Sequence, residues 1–317
     1  MSIDSAIKIK QAWDLSDSPM SASVEDAGTL AGDSRERNRL FERATSDHVI
    51  KIRPPRFWEK IDYVELWEQR EVFLFLIWRD LKVRYKQTIF GAAWVILQPV
   101  LVTAVFTIFL GRLVRVPSDG VPYPIFAYAA LLLWTFISNA VLSSSYSLVT
   151  NAQIITRVYF SRLLIPAATV AVRVIDLFIA AIVLIGLMLY YHTPIGLSIL
   201  IFPLFVIQIA GLALAIGVLG ASLNVRYRDV GTILPILLQV WMFVSPVVYS
   251  SSILPVRLRF LYSLNPLAGI IDGFRASLFH LPFHWPGIAT SLAVTLALLI
   301  LSIHLFRKME SSFADEV

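Results

Sequence analysis

The chain has 317 residues, of which 57% are hydrophobic, 15% are charged and none is cysteine. Soluble globular domains carry about 25% charged residues, so this composition excludes an ordinary soluble core. The lack of cysteine excludes disulfides, thiolate zinc sites and cysteine nucleophiles, and the spacing of the five histidines predicts no metal site.

The charged residues are concentrated at the front of the chain. Residues 1–88 hold 30 of the 49 charged side chains, which predicts a polar N-terminal region followed by a membrane domain. We interpret the net charge of +5 as the basic excess of cytoplasmic loops, not as a surface for nucleic acid. Residues 1–50 contain neither a signal-peptide stretch nor a sustained helical period, and we predict a disordered cytoplasmic tail.

Residues 51–88 are predicted to form an amphipathic helix at the membrane surface. Apolar residues recur at steps of three and four from Tyr63 to Tyr85, with charged residues between them. Tryptophan, tyrosine and basic side chains suit the headgroup region. The alternative is a soluble helix that packs on a partner.

Six apolar stretches follow, each close to the ~20 residues that a helix needs to cross a bilayer. They are Ile89–Gly111, Pro124–Leu148, Leu164–Tyr191, Ile195–Leu223, Ile233–Tyr249 and Pro286–Phe306. Their continuous apolar character indicates helices and excludes a β-barrel. We therefore predict an all-α integral membrane protein with a six-span domain over residues 89–306 and a cytoplasmic tail over residues 307–317.

Loop charges and prolines predict the orientation and one irregular segment. With the N-terminus inside, 15 Lys and Arg fall on the cytoplasmic side and five, including Arg275, fall outside, so both termini are predicted to be cytoplasmic. Residues 250–285 are apolar and broken by three prolines, which favours two short re-entrant helices over an ordinary outer hairpin. Pro246 is predicted to kink the fifth span and to free a carbonyl that needs a partner.

Arg173 and Asp176 lie inside the third apolar stretch, three residues apart. At this spacing they can pair on one helix face, and either charge alone in lipid would be costly. We interpret them as a structural pair. The alternative, a proton or ion relay in a secondary transporter, would require more titratable groups than this one pair supplies.

No GxxxxGK[ST] phosphate loop occurs in the sequence, so no nucleotide site is predicted. The loop Asn151–Pro166 places apolar residues at helical spacing beside Arg157 and Arg162, which predicts a short amphipathic helix parallel to the membrane. Other distinctive segments are LIWRDLKVRYKQTIFGAAWVILQPV (Leu76–Val100), LNVRYRDV (Leu223–Val230), WMFVSPVVYS (Trp241–Ser250) and SLNPLAGIIDGFR (Ser263–Arg275).

In their order and spacing, these segments resemble the permease subunits of type-2 ABC exporters for polysaccharides, the O-antigen, capsule and teichoic-acid exporters. The similarity covers roughly residues 60–310. It implies a permease in the bacterial inner membrane that exports a lipid-linked polysaccharide, as a homodimer with two separate ATP-binding cassette subunits. ATP and Mg would bind those partners, so this chain would hold no cofactor, metal or catalytic residue. Alternatives are an ABC exporter of a small lipid or drug and, in another class, a membrane-embedded glycosyl or acyl transferase.

The resemblance, together with the placement of side chains along the helices, predicts roles for three sets of residues. The coupling helix that contacts the ATPase would use Gln153, Ile155, Arg157, Val158, Tyr159, Phe160 and Arg162. A channel in which aromatic faces stack on sugar rings would be lined by Phe90, Trp94, Gln98, Tyr128, Asn139, Tyr146, Trp241, Ser245 and Tyr249, with the last three aligned at i, i+4 and i+8. The phosphate of the lipid carrier would be received by Arg79, Lys82, Arg84 and Lys86. The alternative roles are helix packing, interfacial anchoring and attraction to membrane lipid.

Overall fold

The computed structural model describes residues 67–86, 93–158, 160–194, 196–253, 255 and 262–310. The predictions for residues 1–50 and 311–317, for the first part of the interfacial helix and for Phe90 and Tyr159 lie outside this range. Over the described residues every regular element is a helix, which confirms the predicted all-α class.

Nine α-helices are formed by the described residues. They are α1 (Arg70–Lys86), α2 (Ala93–Phe106), α3 (Tyr123–Thr150), α4 (Ala152–Arg157), α5 (Leu164–Tyr190), α6 (Phe202–Arg226), α7 (Asp229–Val244), α8 (Pro266–Phe279) and α9 (Trp285–Glu310). A π-helical segment, Thr107–Val114, extends α2, and 3₁₀ turns at Leu197–Ile201 and Ser251–Ile253 precede α6 and follow α7.

Five of the described helical segments are long and apolar enough to cross a membrane. They are Ala93–Val114, Tyr123–Thr150, Leu164–Tyr190, Leu197–Arg226 and Trp285–Glu310. The predicted fifth span, Ile233–Tyr249, corresponds to α7, which is apolar but has only 16 residues. Helix α7 ends at Val244, before Pro246, so the expected kinked span is instead a short helix followed by irregular backbone.

The centre of the bundle is α3, which packs against α5 and α6. Small residues allow the close approach of α3 and α6, as is usual between membrane helices. A Cβ atom on Gly217 would lie 2.5 Å from Ser144 Oγ, and one on Gly220 would lie 2.1 Å from Ser145 Oγ. A side chain at either position would therefore force the facing serine, or the helices themselves, to shift.

The end of α7 is held by α8. Twelve of the 14 residues of α8 are buried, and Arg275 is among them with only 1% of its surface exposed. Its guanidinium donates to the carbonyl oxygens of Pro246 (2.8 Å) and Val247 (2.9 Å), and to that of Phe126 in α3 (3.1 Å). Arg275 therefore pairs with the irregular backbone that follows α7, and it lies buried in α8 and not in an exposed loop.

Helix α1 carries two apolar faces instead of the single predicted stripe. Leu76 is buried with neighbouring apolar residues against α5 and the ends of α3 and α9. On the opposite face Leu74, Phe75 and Trp78 are 61–65% exposed. The helix therefore packs on the bundle with one side and leaves an apolar side uncovered.

Candidate functional site

A cavity of about 120 Å³ lies between α1, α2, α3 and α5. Its walls combine aromatic, polar and charged side chains. The residues that give it this character are Arg84, Trp94, Gln98, Thr135, Asn139, Arg173 and Asp176. The cavity therefore brings together hydrogen-bonding groups, one large aromatic face and a charged cluster within the bundle.

A larger groove of about 390 Å³ adjoins the cavity. It begins beside Asn151, where α3 meets α4, and its lining includes Arg79, Asp80 and Ser143. Arg84 and Arg173 line both the groove and the cavity. The two spaces thus meet at these two arginines and form one polar path into the bundle.

Asp176 is the centre of the charged cluster at that meeting point. It is 8% exposed, and its carboxylate lies 2.9 Å from Arg84 Nη2 and 3.3 Å from Arg173 Nη1. The Tyr85 hydroxyl donates to the other carboxylate oxygen. Arg173 also donates to the Ser143 hydroxyl. The cluster therefore joins α1, α3 and α5.

Tyr85 is a permanent donor in this cluster at neutral pH. Partial burial of its ring and its hydrogen bond to Asp176 raise the pKa of the hydroxyl to about 12. Tyr85 was not predicted as a site residue, because its ring counted only toward the apolar stripe of the helix. Its position directly after Arg84 in the sequence could have indicated a role in the charged cluster.

The four residues predicted to receive a lipid phosphate divide into two groups. Arg79 and Arg84 line the groove, and Arg79 also contacts Asp80 (2.7 Å) and Asn151 Oδ1 (2.8 Å). Lys82 and Lys86 are exposed and line neither space. The arginines are therefore placed at the polar path, and the lysines at the outer surface of α1.

The residues predicted to line a channel do not all come together. Trp94, Gln98 and Asn139 share the cavity, whereas Tyr128 is fully buried and donates to the Ala180 carbonyl at 2.9 Å. Tyr146 donates to the Gly231 carbonyl of α7 at 2.7 Å. These two tyrosines hold neighbouring helices together.

The predicted line of Trp241, Ser245 and Tyr249 is interrupted because α7 ends at Val244. Trp241 Nε1 donates to Asn265 Oδ1 at 3.0 Å, and Asn265 Nδ2 donates to Ser245 Oγ at 2.9 Å. Tyr249 donates to the Phe243 carbonyl. The three side chains therefore stabilise the junction of α7 and α8 and present no common helix face.

The predicted coupling segment has an exposed side and a buried side. Gln153, Arg157 and Val158 are exposed, but Ile155 and Phe160 are 7% and 8% exposed in the chain's own core. Both side chains pack within this chain, and their role as anchors for another protein stays a prediction.

Arg162, in the same segment, contacts the C-terminal end of α9. Its guanidinium donates to the Glu310 carbonyl at the end of α9. This contact ties the loop that follows α4 to the last described helix.

Residues 71–279 match the family of ABC-2 type transporters. The chain belongs to the ABC-2 type transporter family. The matching range extends from α1 to α8 and includes every residue that lines the cavity and the groove. The chain is thus a multi-pass membrane permease of this family.

Curated relatives agree with the predicted resemblance to polysaccharide exporters. The O-antigen export system permease protein RfbA of Klebsiella pneumoniae is 26% identical over 238 residues, which cover 75% of this chain and 91% of that protein. The protein of the same name from Myxococcus xanthus is 26% identical over 258 residues, which cover 80% of this chain and 98% of that protein. The predicted relationship is confirmed.

Proposed function

We propose that this ABC-2 permease exports a lipid-linked polysaccharide from the cytoplasmic side of the bacterial inner membrane to the periplasm. The observation that carries the proposal is the polar path that ends beside Trp94, Gln98 and Asn139 inside the bundle. An aromatic face with hydrogen-bonding neighbours suits a sugar ring, and the groove arginines suit a phosphate. The names of the curated relatives support the same substrate class.

The proposed working unit is a homodimer with two ATP-binding cassette subunits. The sequence has no phosphate loop, so ATP and Mg would bind the partner subunits. Contact with them would use the exposed side of α4, namely Gln153, Arg157 and Val158; Tyr159 also remains a prediction. Exposed apolar residues on the π-helical extension of α2 and on α7, such as Phe109 (56%) and Phe243 (60%), would provide surfaces for lipid or for the second copy.

The proposed topology retains six crossings with both termini in the cytoplasm. The fifth crossing would combine α7 with the irregular backbone after Val244, whose carbonyls bind Arg275. Non-helical backbone at membrane depth is tolerated where protein satisfies its polar groups. The buried helix α8 would be one of the re-entrant helices, and α1 would lie at the inner headgroup level.

The small volume of the cavity favours the alternative that the substrate is a small lipid or drug. At about 120 Å³ it is smaller than the roughly 300–1,000 Å³ of usual ligand pockets, which suits part of a small lipid or drug better than a polymer. A polysaccharide passage would therefore need both copies of the permease. Membership in a transporter family disfavours the transferase alternative.

Deletion of the gene in its native host tests the proposed substrate. We expect the lipid-linked polysaccharide to accumulate at the cytoplasmic face of the inner membrane and to disappear from the cell surface, as measured by membrane fractionation and glycan-specific staining. A plasmid copy should restore surface display, and so should the matched control Arg228→Gln, which changes an exposed arginine outside the cavity and groove. Normal surface glycan in the deletion strain would favour the small-lipid alternative.

A further inference from the structure

The loop between α2 and α3 contacts the irregular backbone that follows α7. It begins where the π-helical extension of α2 ends, at Val114, and leads to Tyr123, the first residue of α3. Because α4 follows the other end of α3, this loop lies at the end of the bundle opposite α4. In the proposed topology that end faces the periplasm, so a transported substrate would have to leave there.

Asp119 is the residue of the loop that makes this contact. Its two carboxylate oxygens accept hydrogen bonds from the Ser250 and Ser252 hydroxyls, the latter at 2.9 Å. The backbone of Asp119 has a left-handed φ of 53°, and Gly120 follows with a φ of 81°. Aspartate tolerates this conformation better than most side chains, but it is uncommon outside glycine and recurs at sites that switch. An unusual local backbone therefore presents the carboxylate to the two serines.

The backbone after α7 is held from two sides with unequal strength. From within the bundle, the guanidinium of Arg275 binds its carbonyl oxygens while only 1% of the arginine surface is exposed. From the loop, the exposed Asp119 binds serine hydroxyls. Water can replace the donors of an exposed carboxylate, whereas the buried carbonyls would lose their partner altogether. The Asp119 contact is therefore the weaker of the two and the one that can open reversibly.

We propose that Asp119 is a releasable latch that keeps the periplasmic end of the permease closed. Release would part the loop from the backbone after α7 and free the adjoining end of α2, which supplies one wall of the cavity. Helix α3 would stay attached, because the buried hydroxyl of Tyr123 donates to the Val248 carbonyl at 2.9 Å. The proposal rests on the proposed function and adds the step by which the substrate leaves.

Covalent fixation of the contact tests the latch, and the lack of native cysteine makes an introduced pair unique. Asp119→Cys and Ser252→Cys are combined on a plasmid in the deletion strain and treated with a short, reducible thiol cross-linker. We expect the cross-linked permease to lose new display of surface glycan and a reducing agent to restore it. The control pair is Ser263→Cys with Thr290→Cys, near the starts of α8 and α9, where the Thr290 hydroxyl donates to the Ser263 carbonyl. Its cross-linking should leave export unchanged.

A purely structural contact predicts a different result, because covalent fixation would then do no harm. Unimpaired export with the cross-link in place, as verified by mass spectrometry of the permease, would overturn the proposal. Failure of the Asp119→Cys and Ser252→Cys pair to cross-link in folded permease would also overturn it, because the loop would then not rest against the backbone after α7.

A buried reporter residue measures opening without reference to the substrate. Thr103 of α2 is 5% exposed, and its hydroxyl has no hydrogen-bond partner among the described residues, so Thr103→Cys removes no hydrogen bond. In spheroplasts, a charged, membrane-impermeant methanethiosulfonate added from outside should label this cysteine several-fold faster when Asp119→Asn is also present, because the amide replaces one acceptor oxygen with a donor. Asp229→Asn, the same change at an exposed position at the start of α7, should not alter the rate.

The reporter also separates the latch from the proposed function. Faster labelling with Asp119→Asn, in a host whose deletion strain keeps normal surface glycan, would support the latch and overturn polysaccharide export. Equal labelling with and without Asp119→Asn would overturn the latch and leave polysaccharide export standing. If Asp119→Asn lowers the midpoint of thermal unfolding, Ser252→Ala replaces it in the same assay, because it removes one donor to the carboxylate.

Discussion

At the scale of single residues, two buried charged side chains each bind several polar groups from neighbouring helices. Asp176 gathers donors from three side chains on α1 and α5, and Arg275 gathers carbonyls from the end of α7 and from α3. The sequence predicted the Arg173–Asp176 pair of the first cluster, because these residues stand three apart in an apolar run, but not its contacts with Arg84 and Tyr85. Asp272 and Arg275 have the same spacing, but the sequence predicted Arg275 only as one of the basic residues on the outer side.

Arg275→Lys should destabilise the permease strongly. Lysine keeps the charge, but its single ammonium cannot reach the Phe126, Pro246 and Val247 carbonyls together, and each buried carbonyl without a partner costs about 1–3 kcal/mol. We expect a clearly lower midpoint of thermal unfolding in detergent. Arg112→Lys, the same change at an exposed position, should leave the midpoint unchanged. Equal midpoints for Arg275→Lys and the wild type would show that the carbonyl contacts contribute little.

At the scale of elements, apolar runs predicted the long helices well but not their ends. Helix α2 continues through Pro99 and α7 continues through Pro235, whereas α7 stops just before Pro246. A proline costs a helix one backbone hydrogen bond wherever it occurs. Its presence alone therefore does not determine whether the helix continues or ends. Arg275 binds the carbonyls after Val244, and that long-range contact is not visible in a local pattern.

Gly217→Ala tests the contact of α3 with α6. The added Cβ would lie 2.5 Å from Ser144 Oγ and 2.6 Å from Ser144 Cβ, and such overpacking costs about 1–3 kcal/mol. We expect a lower unfolding midpoint. Gly186→Ala is the matched control, since its Cβ would meet nothing within 4 Å in another spanning helix, and it should be neutral or slightly stabilising. The packing argument fails if both variants unfold alike.

At the scale of the whole molecule, one chain alone forms the polar path, whereas the segment around α4 is proposed to act by contact with partner subunits. The sequence predicted Trp94, Gln98, Asn139, Arg79 and Arg84 as site residues, and the fold places all five along one polar path. It could not separate the exposed from the buried side of the segment around α4. That separation depends on long-range packing of Ile155 and Phe160 with Leu76 and Phe306.

Two substitutions near α4 should therefore have different effects. Val158 is 53% exposed, so Val158→Asp should leave permease stability unchanged but reduce co-purification with the proposed ATPase and the ATPase activity of the complex. Ile155 is buried, so Ile155→Ala should lower permease stability by about 2–5 kcal/mol. Unchanged co-purification of Val158→Asp would argue against α4 as the coupling surface.

The spanning helices differ widely in how far this chain alone buries them. In the most apolar window of α3, 78% of residues are buried within the chain, against 11% for α2 with its π-helical extension. Yet α2 supplies Trp94 and Gln98 to the cavity. Within the chain, displacement of α2 would disturb less packing than displacement of α3, so we expect the cavity to widen by movement of α2 against the lipid or the second copy while α3 stays in place. Passage of a large substrate would then depend on movement of α2, the spanning helix that is least buried within the chain.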